Sequence, residues 1–185
     1  QTDSDSDGFE DLNTIYKTKG DYTVVQPYAQ TQIRLSEKFT VNAGLHGQSF
    51  SVNNQFVFEP RASFTYKVNT NNAINVGYGL HHQNVPAPIL FQNENSSGNL
   101  IQTNKNLKLV QSQHYVLGYD VKLADKWRGK AEIYYQKIDN AAVENFSSSY
   151  SSLTEGSDFG YSTDKTSLVS NGKGTNVGLE LTIEK

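Results

Sequence analysis

The sequence predicts an all-β fold, in which antiparallel up-and-down strands form one part of a transmembrane β-barrel. Three observations predict it. Polar and apolar residues alternate strictly along seven segments. The runs reach about 10 to 14 residues, longer than the globular mean of about 5–6 and long enough for the roughly 9–11 tilted residues of a membrane strand. Tight polar turns join the segments on one side and two long Asn-, Ser- and Gly-rich connections on the other, as in bacterial membrane barrels.

Composition narrows the class. Only 36% of the 185 residues are hydrophobic and mean hydropathy is −0.60, yet there are 11 Tyr and 9 Phe. A polar chain so rich in aromatic and β-branched residues is neither disordered nor helical. No stretch supplies the 18 or so apolar residues of a membrane helix, which leaves a barrel open because only alternate strand residues face lipid. Without Cys there is neither a disulfide framework nor thiol chemistry. Sixteen basic and 19 acidic residues give a net charge of −3 with no basic patch, which excludes nucleic acid as a partner. No charged-then-apolar signal segment opens the chain, so a chain beginning at Gln1 reads as processed or as a piece of something longer.

Each segment pairs an apolar with a polar set. Asp21–Leu35 sets Val25, Ala29, Ile33 and Leu35 against Tyr28, Gln30, Gln32 and Arg34. Phe39–Phe50 sets Phe39, Val41, Ala43 and Leu45 against Thr40, Asn42, His46 and Gln48. Gln55–Val68 sets Phe58, Ala62, Phe64, Tyr66 and Val68 against Glu59, Arg61, Ser63, Thr65 and Lys67. Ala73–Gln83 sets Ile74, Val76, Tyr78 and Leu80 against Asn75, His81 and Gln83. Ser112–Leu123 sets Tyr115, Leu117, Tyr119, Val121 and Leu123 against His114, Asp120 and Lys122. Trp127–Ile138 sets Trp127, Ala131, Ile133 and Tyr135 against Arg128, Lys130, Glu132, Tyr134 and Gln136. Gly174–Lys185 sets Val177, Leu179, Leu181 and Ile183 against Asn176, Glu180, Thr182 and Glu184. The charged, amide-rich sets suit a water-filled lumen.

Ser36-Glu37-Lys38, Asn69–Asn72 and Ala124-Asp125-Lys126 are the tight turns, and Asn84–Gln111 and Asp139–Lys173 the long connections, expected to lack structure of their own. Long loops of that kind usually carry function. Turn polarity places Phe39, Tyr66 and Trp127 in an inner aromatic girdle and His81, Gln83 and His114 near the outer rim. It also puts Pro27 and Pro60, awkward inside a central strand, toward the outer end. Seven strands fall short of the even number, at least eight, of a bacterial barrel. Further strands are therefore expected on both sides, in the parent polypeptide or from other subunits.

The runs YAQTQIRLSEKFTVNAGLHGQSFSVNN, FEPRASFTYKV, INVGYGLHHQ, SQHYVLGYDVKL, AEIYYQKIDNAAV and GKGTNVGLELTIEK resemble the C-terminal half of the barrel in TonB-dependent receptors of the Bacteroidetes group. The resemblance spans residues 21–185, with Glu59-Pro60-Arg61, Gly79-Leu80-His81, His114-Tyr115 and the final Gly-Leu-Glu-Leu-Thr strand as its strongest parts. It implies residence in the outer membrane, in contact with its lipid, and active import of an extracellular small-molecule ligand. Energy would arrive through TonB, acting on a plug domain inside the barrel. The chain contains neither that plug nor the remaining strands.

Residues 1–20 read as an extracellular loop carrying the sharpest local motif, Asp3-Ser4-Asp5-Ser6-Asp7-Gly8-Phe9-Glu10-Asp11. Alternate carboxylates around a turn-permitting Gly follow calcium-loop order. Asp3, Asp5 and Asp7 would supply side-chain oxygens, Phe9 a carbonyl, and Asp11 a direct or water-mediated ligand. Thr14 stands where an EF-hand has its bidentate Glu, so affinity would be weak, roughly 10⁻⁴–10⁻³ M. The bland reading is a solvated acidic loop. No other cofactor is expected.

His81 and His114 share lumen parity on neighbouring strands and are candidate ligand-facing or metal-contacting residues. Hydrogen bonding of two rim histidines to loop backbone is the commoner outcome. His46 lies on the same face and His82 should point the other way. Glu59, Arg61, Lys67, Arg128, Lys130, Glu132, Glu180 and Glu184 form a charged wall, read as cross-strand ion pairs. Glu180 and Glu184, about 13 Å apart on one strand, are too distant for paired acid–base work. Tyr150, Phe159 and Tyr161 in one long loop, and Leu90 and Phe91 in the other, would either grip a ligand or pack the loops together. No nucleophile motif or phosphate loop is present, so an enzyme is not expected. The rival class is a soluble calcium-binding β-sandwich for adhesion or carbohydrate binding, which would bury Tyr115, Leu117, Tyr119 and Val121 against a second sheet.

Overall fold

A computed structural model describes residues 21–155 and 164–185. The chain forms β1 (Val24–Val25), β2 (Tyr28–Arg34), β3 (Phe39–Phe50), β4 (Gln55–Lys67) and β5 (Asn72–Gln83). The first long connection holds a helical turn α1 (Ala87–Leu90), the hairpin β6 (Glu94–Ser96) and β7 (Asn99–Ile101), and a 3-10 turn at Thr103–Asn106. The sheet resumes with β8 (Val110–Ala124), β9 (Trp127–Val143) and β10 (Val169–Glu184). These build one eight-stranded antiparallel sheet in the order β3-β4-β5-β8-β9-β10, with β1 and β2 both on β3. The sheet is open: among the described residues, β10 pairs only with β9, and β1 and β2 only with β3.

Alternation set the faces correctly along the seven segments, with His82 as an exception. One row of like parity crosses seven strands, from Ile33 through Val41, Phe64, Val76, Leu117 and Ile133 to Leu179. Its neighbour on the opposite face runs Gln30, Gly44, Arg61, Gly79, His114, Gln136 and Asn176. A slip of one residue would exchange the faces, so hydrophobic patterning and register enforce each other. Among the described residues nothing covers the apolar face: Leu117, Ile133 and Leu179 are 52%, 55% and 65% exposed. The other sheet is only the β6–β7 hairpin, so the second sheet that a sandwich would pack against these residues is missing among the described residues.

The tight turns fold by local chemistry. Ser36 Oγ accepts from the Lys38 and Phe39 N–H groups, and Asn69 Oδ1 from Asn71 N–H, the backbone mimicry that favours these residues in turns. At this end Phe39 stacks on Tyr66 with centroids 4.6 Å apart, and Lys185 Nζ lies 5.4 Å from the Trp127 ring centroid. That is the expected aromatic girdle.

Two expectations need correction. Asp21–Leu35 is not one strand but two, divided at Gln26-Pro27. Pro27 has no N–H to donate, while its carbonyl accepts from Gly47 N–H at 2.8 Å. Nor are the long connections structureless. Strand β9 runs on to Val143 and β10 starts at Val169. Val85, Ile89, Leu90, Leu107, Leu109 and Leu168 bury with Phe50 and Ala142 into a small core. The strand residues Val24, Phe50, Val57 and Val110 meet this core and all have polar-face parity, so the loops fold over the polar face as a cap. Leu90 and Tyr150 therefore pack the loops together.

Candidate functional site on the polar face

Amides and hydroxyls stitch the polar face across strands. Gln32 donates to Asn42 at 2.9 Å and Asn42 to Ser63 at 3.1 Å. Thr65 donates to Asn75, which in turn donates to Asp120. Asn176 donates to Gln136 Oε1 at 2.7 Å, and Gln136 Nε2 lies 2.8 Å from Ser112 Oγ and 3.0 Å from His114 Nε2. Such ladders hold neighbouring side chains in register while leaving the surface wettable. The charged wall pairs only in part across strands. Arg128 and Glu184 meet at 3.9 Å between β9 and β10, whereas Lys130–Glu132 and Lys137–Asp139 pair along one strand.

Glu59 departs from the wall reading, being only 2% exposed. Its neighbour Pro60 supplies the reason. Lys67 N–H donates to Lys38 on the β3 side, and N–H direction alternates along a strand, so the nitrogen of Pro60 faces β5. There it has no hydrogen to give. The β4–β5 ladder accordingly stops at Arg61↔Gly79, while the β3–β4 ladder continues to Gln55. The Glu59 carboxylate fills the gap by accepting from His82 N–H at 2.5 Å. A buried carboxylate requires such partners. His46 Nδ1 lies 2.5 Å from Oε2, Arg61 Nη2 3.5 Å from the same oxygen, and His82 Nδ1 3.4 Å from Oε1. His82 was expected to point away from this face; the ladder break instead brings its ring beside Glu59.

His81 and His114 do come together, with ring centroids 5.3 Å apart and planes nearly perpendicular. They border a depression of about 450 Å³ with Arg61, Ser63 and the glycines Gly44, Gly77 and Gly79. Gly79 makes room for the His81 ring, since a Cβ there would stand 2.8 Å from its Nε2. Among the described residues no group of three or more His, Asp or Glu is arranged to hold a metal ion. Asp3, Asp5, Asp7, Phe9 and Asp11 lie outside the described residues, as do Phe159 and Tyr161.

In the cap, Lys165 Nζ sits 3.1 Å from Glu144 and 5.5 Å from the Tyr150 ring centroid. Burial, reinforced by Glu155, Glu144 and Asp164, pushes the Tyr150 phenol well above the ordinary tyrosine range. Asn104, fully buried, donates to Ile89 O at 2.9 Å and Lys165 O at 2.7 Å and accepts from Leu168 N–H at 3.0 Å. One amide thus ties both long connections together.

A sheet with an uncovered apolar face, a hydrogen-bonded polar face and a loop cap at one end is the wall of a membrane-spanning β-barrel. The comparisons agree. The family model "TonB dependent receptor-like, beta-barrel" matches residues 1–184, and the chain belongs to that family of outer-membrane transport receptors. A search of curated sequences gave no match. Among solved structures, the ferric-catecholate import receptor Fiu of Escherichia coli K12 aligns at TM-score 0.64 and 14% identity, over 88% of this chain and 25% of that one. The siderophore receptor PirA of Acinetobacter baumannii aligns at 0.64 and 16%, over 89% and 26%. The Pseudomonas aeruginosa PirA gives 0.61 and 17%, over 86% and 30%. At these identities the likeness is one of fold, and the chain spans 25–30% of those proteins' lengths.

Proposed function

We propose that this chain is part of the barrel wall of a receptor that captures a scarce extracellular nutrient and imports it actively, with a plug domain and TonB as its partners. The observation that carries this reading is the apolar row across seven strands, exposed on six of them and half-buried at Val41, set back to back with a polar row. An apolar face of that extent needs a cover, lipid supplies one along a barrel wall, and the polar face behind it suits a water-filled passage. Short turns at one end and a cap at the other support the orientation, with the cap outside the cell. The quoted sequence runs support a Bacteroidetes-type receptor. Its fold-level neighbours are siderophore receptors, which makes an iron chelate the first nutrient class to test, with vitamins and glycans beside it. A strain lacking the full-length receptor should grow poorly on one limiting nutrient class, and loss of TonB should reproduce that defect. Normal growth on every iron, vitamin and glycan source, with uptake indifferent to TonB, would refute import.

A further inference from the structure

We infer that the depression beneath the cap is a binding site for a small polycarboxylate, held by Arg61 with His81 and His114. The inference rests on the receptor reading only in needing the polar face open to solvent. No carboxylate lines the depression, whose chargeable groups are Arg61, His81 and His114. Arg61 stands in a row between Gly44 and Gly79 on the two adjoining strands, and the His81 ring lies over the bare backbone of Gly79, which brings it to the Arg61 side of the depression. The side chain is 51% exposed, and its contact with Glu59, at 3.5 Å, is a long one. Glu59 Oε2 is already engaged by His46 at 2.5 Å and Oε1 by His82 N–H. A planar guanidinium with donors to spare is the side chain best matched to a carboxylate.

The two histidines add ring nitrogens to the same depression. Gln136 Nε2 donates to His114 Nε2, so that ring carries its proton on Nδ1 and presents an N–H. His81 folds over the bare backbone of Gly79 toward His114. Three separate donor groups match a ligand that carries more than one carboxylate. The volume of about 450 Å³ falls within the roughly 300–1,000 Å³ of small-molecule sites.

The test uses the full-length receptor in detergent, phenylglyoxal as an arginine reagent, and citrate as the probe anion. Modification of Arg61, Arg34 and Arg128 is followed by mass spectrometry, with sodium chloride at matched ionic strength as control. Citrate should slow Arg61 alone along a saturation curve, by about tenfold at roughly ten times its dissociation constant. His81→Ala, which removes the imidazole ring and leaves Gly79, the cross-strand partner of Arg61, in place, should shift that curve to higher citrate. Equal rates in citrate and chloride, or an Arg61 already shielded before any anion is added, would overturn the inference. Neither result would bear on whether the apolar face meets lipid, so the site and the receptor reading fail separately.

Discussion

Asn104→Ala should release the cap while leaving the barrel wall intact. The side chain makes three hydrogen bonds, to Ile89 O, Lys165 O and Leu168 N–H, all in a site with no solvent exposure. Alanine keeps the backbone and removes all three. Each is worth about 1 kcal/mol net, more if the abandoned partner stays dry. The cap's local opening should therefore become easier by about 3 kcal/mol, which is roughly a hundredfold in population. Native-state hydrogen exchange on the full-length protein in detergent reads this directly at the Leu168 amide. The strand amides of β8 and β9 serve as internal controls, and Asn99→Ala, at an exposed position of β7, should change nothing. A Leu168 amide exchanging within about twofold of wild type in Asn104→Ala would refute the view that this amide holds the two connections together.

Other predictions follow from the faces and the cap's charges. Leu117→Arg, in the exposed apolar row, should cost about 2–4 kcal/mol and lower the assembled fraction on heat-modifiability gels, whereas Val116→Arg, on the polar face, should assemble normally. Acid should loosen the cap: the Ser148 hydroxyl, followed by Lys165, holds the Glu144 carboxyl below the ordinary range. Its stabilisation is present above the unfolded carboxylate pKa and lost as pH falls through the lowered folded value, so the protection of amides in 144–155, relative to the intrinsic rate at each pH, should fall in acid and not do so in Glu144→Gln. Alkali acts through Tyr150, whose raised pKa leaves its stabilisation intact below the unfolded value of about 10 and erodes it as pH rises beyond. The phenolate absorbance lost in Tyr150→Phe should accordingly appear only above the ordinary tyrosine range of about 10.

The wall was legible because strand alternation is a local property. Leu117 declares its face through its own neighbours, and register then had to match Val76, Leu117 and Ile133. The cap was not legible, because what folds it is distant in sequence. Asn104 contacts Lys165, 61 residues away, and nothing near Asn104 marks it as buried. Glu59 lay between these cases. Its parity was right, but the sequence reading treated it as one charge among several. The available signal was the Glu-Pro step inside a strand: proline removes a ladder donor, and the adjoining carboxylate can accept the N–H left over on the next strand. The β4–β5 ladder ends at Gly79 while β5 stays paired with β8 through Gln83, and it is beyond that one-sided break that His82 meets Glu59, which alternation within β5 could not anticipate.

Lipid contact of the apolar face is the property on which a barrel wall most directly depends. Spin labels at Leu117→Cys and Val116→Cys, one residue apart, would be placed in the full-length receptor reconstituted in bilayers. Oxygen, enriched in lipid, should relax the label at 117 strongly, while a water-soluble nickel chelate should reach the label at 116 and not that at 117. A label at 117 shielded from both relaxants, as it would be against a second sheet, would contradict the account.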